Sequence, residues 1–410
     1  MGMLSQYRGL RRELYVLFWG RVVTNMGALI WPMMTLILTK KLGYTAGQAS
    51  NLMLVVGACM LPCTLLGGRL ADRLDKKKLI VCCDMVTVLS YLACGLLPLG
   101  KDSVVLMAIA GVFAQLEWPS FDALVANLST PEERERAYSL NYLGANLGLV
   151  LAPTLGGILF ENHLNLAFII SGLATFSSTV LIFFLVRDTR RSVGSTPSSA
   201  YEDERNVTIR QVFSGAPVLG LFIWCIGIVF ALYGVSFSFL MPLSMDHSFG
   251  DKGALLLGTL TSVNAVTVIV GTPVLTGVLW KLRDVGKLQL GAALEILGCG
   301  IFALAGARMI LCYGGMIVFT LGEIILSLGE QPYITRRVPA SHRGRMSAIR
   351  SVGQILMQGI LLYVAGHTAD LTTLNVIWGG IVVLGFANVL TMFVLRNRDK
   401  RQFHLLYEAK

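Results

Sequence analysis

Apolar runs of about 20 residues alternate with short polar turns along nearly the whole chain. Twelve runs cover residues 14–39, 46–70, 77–99, 103–128, 138–160, 165–186, 216–244, 254–280, 286–307, 311–335, 346–367 and 372–396. A helix of that length crosses a hydrocarbon core of roughly 30 Å. In lipid, an isolated apolar run can satisfy its own backbone hydrogen bonds only as a helix. The pattern therefore predicts an all-α integral membrane protein with 12 transmembrane helices. A polar stretch rich in Ser and charge, residues 187–213, splits them into two six-helix halves, 1–186 and 214–410.

Composition agrees: 54% of the residues are hydrophobic and 14% charged, against roughly a quarter charged in soluble domains. The net charge of +10 sits in the turns between spans, so it reads as topology and not as a nucleic-acid footprint. Of the 34 Lys and Arg, 27 fall on one side and five on the other (Lys40, Lys41, Lys101, Lys252, Arg308), with Arg21 and Arg350 inside spans. That asymmetry puts both termini in the cytoplasm. The first run is too long, and lacks the small-residue site, for a cleaved signal peptide. The eight cysteines lie in or beside apolar runs without metal-ligand spacing. No phosphate loop, metalloprotease helix or nucleophile elbow occurs, so no cofactor, metal or enzymatic activity is expected. Transport energy then comes from an ion or solute gradient.

Ionisable groups inside spans cost roughly 2.5–3.5 kcal/mol each on insertion scales and call for a partner or a task. By the helical rise, Arg21 lies about 10 Å, Glu117 about 15 Å and Glu323 about 18 Å from the cytoplasmic end of its span. Arg21 and Asn25 share a face, and Arg21 can pair with Glu117 across the first half. Asp122 lies about 140° round the helix from Glu117, which turns it toward the cytoplasmic loop. Glu323 and Glu330 share a face of span ten, with Glu323 near the midplane, either carrying protons or held neutral by hydrogen bonds. Asp84 and Glu295, on spans three and nine, read as structural. Arg350 reads as part of an inner gate. Phe230, Tyr233 and Phe237 form a stripe on span seven that either lines an apolar cavity or packs. Gly144, Gly148, Ala152, Gly156 and Gly157, with Pro153, give span five a smooth, bent face for close packing. A faint repeat supports the two halves. Glu117-Trp118-Pro119 is echoed by Glu330-Gln331-Pro332, and Arg134-Glu135-Arg136 by Arg343-Gly344-Arg345. Two parallel repeats fit the transporter plan with a substrate site between them.

The loop Gly67–Leu79 carries five Lys or Arg, and its Gly68-x-x-x-Asp72-Arg73 followed by Lys76-Lys77-Lys78 resembles the loop between helices two and three of the major facilitator superfamily. Asp75 stands where that family usually has Gly. The resemblance implies a cytoplasmic latch in which Asp72 caps a helix of the other half and Arg73 pairs with Asp122. Span five is similar to the signature of drug:proton antiporters, with Ala152 replacing a Gly. Thr320-Leu321-Gly322-Glu323-Ile324 resembles span ten of lactococcal-type multidrug antiporters, which implies proton coupling and cation binding at Glu323. Those antiporters carry a second carboxylate in span five where this chain has Asn141.

Together these readings lead to the expectation of a proton-coupled exporter of hydrophobic or cationic drug-like compounds, monomeric, in the bacterial inner membrane. Protons and a small-molecule substrate are its expected partners, beside the lipid bilayer. Proton coupling is expected at Glu323, Glu117, Glu330 and Arg21. Substrate contact is expected at Asn25, Asn141, Phe230, Tyr233, Phe237 and Glu323, and gating at Gly68, Asp72, Arg73, Asp122 and Arg350. The alternatives are a symporter or uniporter for a nutrient such as a sugar, and a lipid flippase or receptor.

Overall fold

In the computed structural model the described residues are 7, 9–130, 133–186, 213–338 and 343–408. Among them the regular structure is entirely helical. The linker 187–213 expected from the sequence lies, but for its last residue, outside them. The helices are α1 (Arg12–Met26), α2 (Ala46–Arg73), α3 (Lys76–Leu96), α4 (Lys101–Leu128), α5 (Arg134–Phe160) and α6 (Leu164–Leu185). After the linker come α7 (Val218–Val235), α8 (Gly253–Val278), α9 (Asp284–Ala305), α10 (Met309–Arg337), α11 (Arg343–Leu371), α12 (Leu374–Gln402) and a short α13 (Leu405–Glu408). Two spans are irregular. The first resumes after Met26 through a tight turn at Trp31–Met33 and a wide one at Ile37–Lys41. The seventh widens at Ser236–Leu240 before Met241–Phe249. Ten stretches of the described chain are long and apolar enough to cross a membrane. One of them, Val218–Val278, holds both the seventh and eighth predicted runs. Gly250, with φ +56°, supplies the left-handed residue at the turn between them.

The turns are made by local chemistry. Asp75 ends the basic loop and caps α3, its carboxylate accepting the Lys78 N–H at 2.9 Å. An aspartate at that position is a good N-cap, which accounts for its presence where the related loops carry Gly.

Contacts divide the chain into two compact units. One comprises Met1–Thr45, Asn51–Ser195 and Met245–Ala265, the other Ala46–Ser50, Thr196–Ser244 and Val266–Lys410. Within the first, α3 packs on α4 and α6, and α1 on α5 and α6. Within the second the same scheme recurs: α9 packs on α10 and α12, and α7 on α11 and α12. The recurrence gives a structural counterpart to the faint sequence repeat.

The small residues of α5 do the work that close packing requires. A Cβ on Gly148 would lie 2.5 Å from the Asn25 Cβ and 2.6 Å from the Val22 carbonyl oxygen. On Gly144 it would meet the Phe18 ring at 2.9 Å, and on Gly156 the Leu29 carbonyl oxygen at 2.8 Å. Gly157 faces the Ala254 carbonyl, and Gly258 faces that of Pro153. Thr154 and Ser262 share a hydrogen bond of 2.7 Å beside them.

Candidate functional site

The first unit encloses a cavity of about 360 Å³ among α1, α2, α3, α4 and α6. Its walls combine charge with aromatic surface. Arg21 comes from α1, Asp84 from α3 and Glu117 from α4, with Trp31, Tyr91 and Trp118 around them. Arg21 is 6% and Glu117 8% exposed, so both charges are held away from solvent and lipid alike. The helical periods explain the convergence. Asp84, Thr87 and Tyr91 follow one stripe of α3, while Arg21, Thr24 and Asn25 follow one of α1.

Arg21 is held by rings. Its guanidinium carbon lies 4.4 Å from the centroid of Trp118 and 4.3 Å from that of Phe121, and its Nε has no hydrogen-bond partner. Cation–π contact of this kind is worth about 2 kcal/mol when desolvated. Asp84, Glu117 and Asp122 all lie within electrostatic reach of it. Arg21 and Glu117 thus share one cavity, though as neighbours in a field and not as a direct ion pair. One Asp84 oxygen contacts the Thr179 hydroxyl at 2.7 Å. Asn25 donates to the Ala145 carbonyl at 3.2 Å, fixing α1 to α5 at the cavity edge.

Several expected contacts are arranged otherwise. Asp122 lies within electrostatic reach of Arg21, whereas Arg73 is exposed and the expected Arg73–Asp122 pair is not formed. A five-residue offset turns Asp122 away from Glu117, yet a long arginine inserted between Trp118 and Phe121 reaches both. Gly68 is half-buried with open space at its Cα. Asp72 lies on α2, but its side chain is outside the described ones.

In the second unit, Arg350 donates to Glu330 in an ion pair joining α11 to α10. Glu323 is half-buried on α10. Next to it, a Cβ on Gly322 would lie 2.5 Å from the Glu295 backbone nitrogen. Glu295 is buried, with one oxygen unpartnered and Glu323 within electrostatic reach. Tyr233 and Phe237 stack on each other and on Phe319 of α10, at centroid distances of 5.6, 5.1 and 6.5 Å. Phe230 packs against the hydrophobic core of the same unit. The stripe is therefore engaged in packing. Asn141 is half-buried on α5 and its Oδ1 has no partner. From the sequence alone Asp84, on span three, reads as structural. An acid in an apolar run was the available signal, and the structure sets it on the cavity wall.

The Major Facilitator Superfamily family model matches residues 17–361. The chain is 21% identical over 399 residues to a Na(+), Li(+), K(+)/H(+) antiporter of Planococcus maritimus, covering 89% of this chain and 90% of that one. It is 26% identical over 192 residues to the quinolone resistance protein NorA of Staphylococcus aureus, covering 45% and 48%. Among solved structures, a POT family transporter in complex with 5-aminolevulinic acid superposes with a TM-score of 0.78 at 14% identity, over 96% of this chain and 97% of that one. The nucleoside transporter NupG gives 0.70 at 11% identity, over 95% and 100%. Helices long enough to span a bilayer, a polar cavity within them and a family match over most of its length lead to one conclusion: the chain is a multi-pass membrane transporter of the Major Facilitator Superfamily, and not an enzyme.

Proposed function

We propose that the protein is a proton-coupled exporter of lipophilic cations, working by alternating access in a bacterial inner membrane with both termini cytoplasmic. The observation that carries this reading is the cavity of the first unit, where two carboxylates and three large aromatic side chains face one space. Aromatic faces and carboxylates attract an organic cation by the ring quadrupole and by charge. The same carboxylates, shielded from water, exchange a proton for that cation, since a like-charged pair of ligands competes for one negative site. The relatives annexed to ion/proton antiport and quinolone resistance support the class, and the packing face of α5 supports the antiporter subgroup. Glu323, with Glu295 beside it, is a second carboxylate site for the coupling ion.

The test is transport of tetraphenylphosphonium into inverted vesicles energised by a pH gradient. Glu117→Gln lowers gradient-driven uptake by about 100-fold, the lower end of the range for a lost acid–base group. Glu323→Gln gives a comparable loss if the second unit shares the coupling. Wild-type vesicles that neither accumulate nor exchange the cation, but exchange a sugar, would replace this reading with the nutrient symporter.

A further inference from the structure

The cavity holds two buried acids, and one of them has a partner built for two charge states. The Thr179 hydroxyl oxygen lies 2.7 Å from Asp84 Oδ2 and 2.8 Å from the Thr175 carbonyl oxygen. Both separations are those of O–H···O hydrogen bonds. A threonine hydroxyl has one hydrogen to give and two lone pairs to receive. The Thr175 carbonyl can only accept. Both contacts are hydrogen bonds at once only when Asp84 carries a proton and donates it to Thr179, whose own hydrogen then goes to Thr175. When Asp84 is ionised, rotation about the Thr179 Cβ–Oγ bond turns the hydroxyl hydrogen to the carboxylate. No buried donor is orphaned in either state, the condition that makes loading and unloading inexpensive in a dry interior.

The surroundings supply the reason to switch. Arg21 on α1 and Glu117 on α4 lie within electrostatic reach of Asp84. Asp122, also on α4, divides the attention of Arg21. Cys82, Cys83 and Tyr91 are the other titratable groups on the Asp84 stretch of α3. The helix α6 brings Thr175 and Thr179 and no titratable side chain.

We propose that Asp84 is a proton-carrying acid of the first unit's cavity beside Glu117, with the Thr179 hydroxyl as the two-position partner that serves it in both charge states. On unloading, the O–H bond at Asp84 Oδ2 breaks and the proton passes to bulk water admitted when the cavity opens, leaving the carboxylate for the incoming cation. This rests on the exporter reading for its substrate, but the proton site itself is testable without one.

The full-length protein is purified in detergent and titrated by infrared difference spectroscopy for the protonated-carboxyl band. Asp84→Asn removes one component of that band, Thr179→Val displaces both its frequency and its midpoint, and Thr179→Ser restores the wild-type profile. In proteoliposomes, the ratio of pH-driven efflux to simple exchange of tetraphenylphosphonium falls about tenfold in Asp84→Asn, equivalent to about 1.4 kcal/mol. An infrared titration of Asp84→Asn that superimposes on wild type overturns the proposal. So does a Thr179→Val profile identical to that of Thr179→Ser, which decides the matter even if Asp84→Asn does not fold. A wild type that exchanges no cation yet shows the Asp84 component sinks the exporter reading alone and supports the proton site.

Discussion

Arg337 shows how much a single side chain decides when it is buried. Its guanidinium bonds Asp399 through Nε and Nη2, both at 2.8 Å, and Asp284 through Nη1 at 3.1 Å. Asp399, wholly buried, also accepts the hydroxyls of Tyr333 at 3.0 Å and Tyr407 at 2.7 Å. Arg283 donates to the Tyr407 carbonyl and lies over its ring, so α13 is tied to the ends of α9, α10 and α12. Burial, and then the bond to Asp399, holds the Tyr407 phenol above its ordinary range of ionisation. Removing one partner of such a cluster leaves uncompensated buried charge and costs about 3–5 kcal/mol. Arg337→Ala is therefore expected to lower the thermal unfolding midpoint in detergent sharply, and Tyr407→Phe only slightly. In the sequence Arg337 was one more cytoplasmic cation. Its spacing to Asp284 and Asp399, more than 50 residues away in each direction, carries no local signal.

Helix α5 is the element whose sequence said most about its task. Glycines every four residues announced a smooth face, and the structure fills that face with the backbone of the first span. Gly148→Val puts its side chain into Asn25 and the Val22 carbonyl, and overpacking of this kind costs about 1–3 kcal/mol. The expected result is a less stable protein whose cation exchange falls with it, read by unfolding and counterflow on one preparation. Charge ties the outer ends of the same unit. Lys40 bridges Glu161 at 2.9 Å and Asp246 at 3.1 Å, and Lys41 meets Glu161 at 3.2 Å. All four are partly exposed, so each pair contributes at most about 1 kcal/mol. Span seven went differently. Its aromatic spacing was legible, but whether the stripe meets a cavity or another ring depended on Phe319, a residue on a distant helix.

At the scale of the whole molecule, the repeat is clearer in the packing than in the residues. The scheme by which α1, α3, α5 and α6 meet recurs in α7, α9, α11 and α12, although only two short three-residue patterns echo each other in the sequence. Orientation is the molecular property that charge counting addresses directly. An alkaline phosphatase fused after Lys410 should be inactive and a green fluorescent protein there should fluoresce; the opposite pair of results would invert the topology.

Hydropathy and charge by themselves determined the helical class, the twelve runs and the side expected for each turn. They do so because lipid offers no hydrogen-bond partners and because basic residues stay on the side of synthesis, both local constraints that each run meets alone. Tertiary structure decided which intramembrane groups meet: Asp84 with Thr179 and Arg21, Asp122 near Arg21 instead of Arg73, Glu330 with Arg350. Those meetings depend on how each helix is rotated about its axis and which neighbour it packs against. Close packing of small residues between separate spans sets that rotation, and no single run contains it.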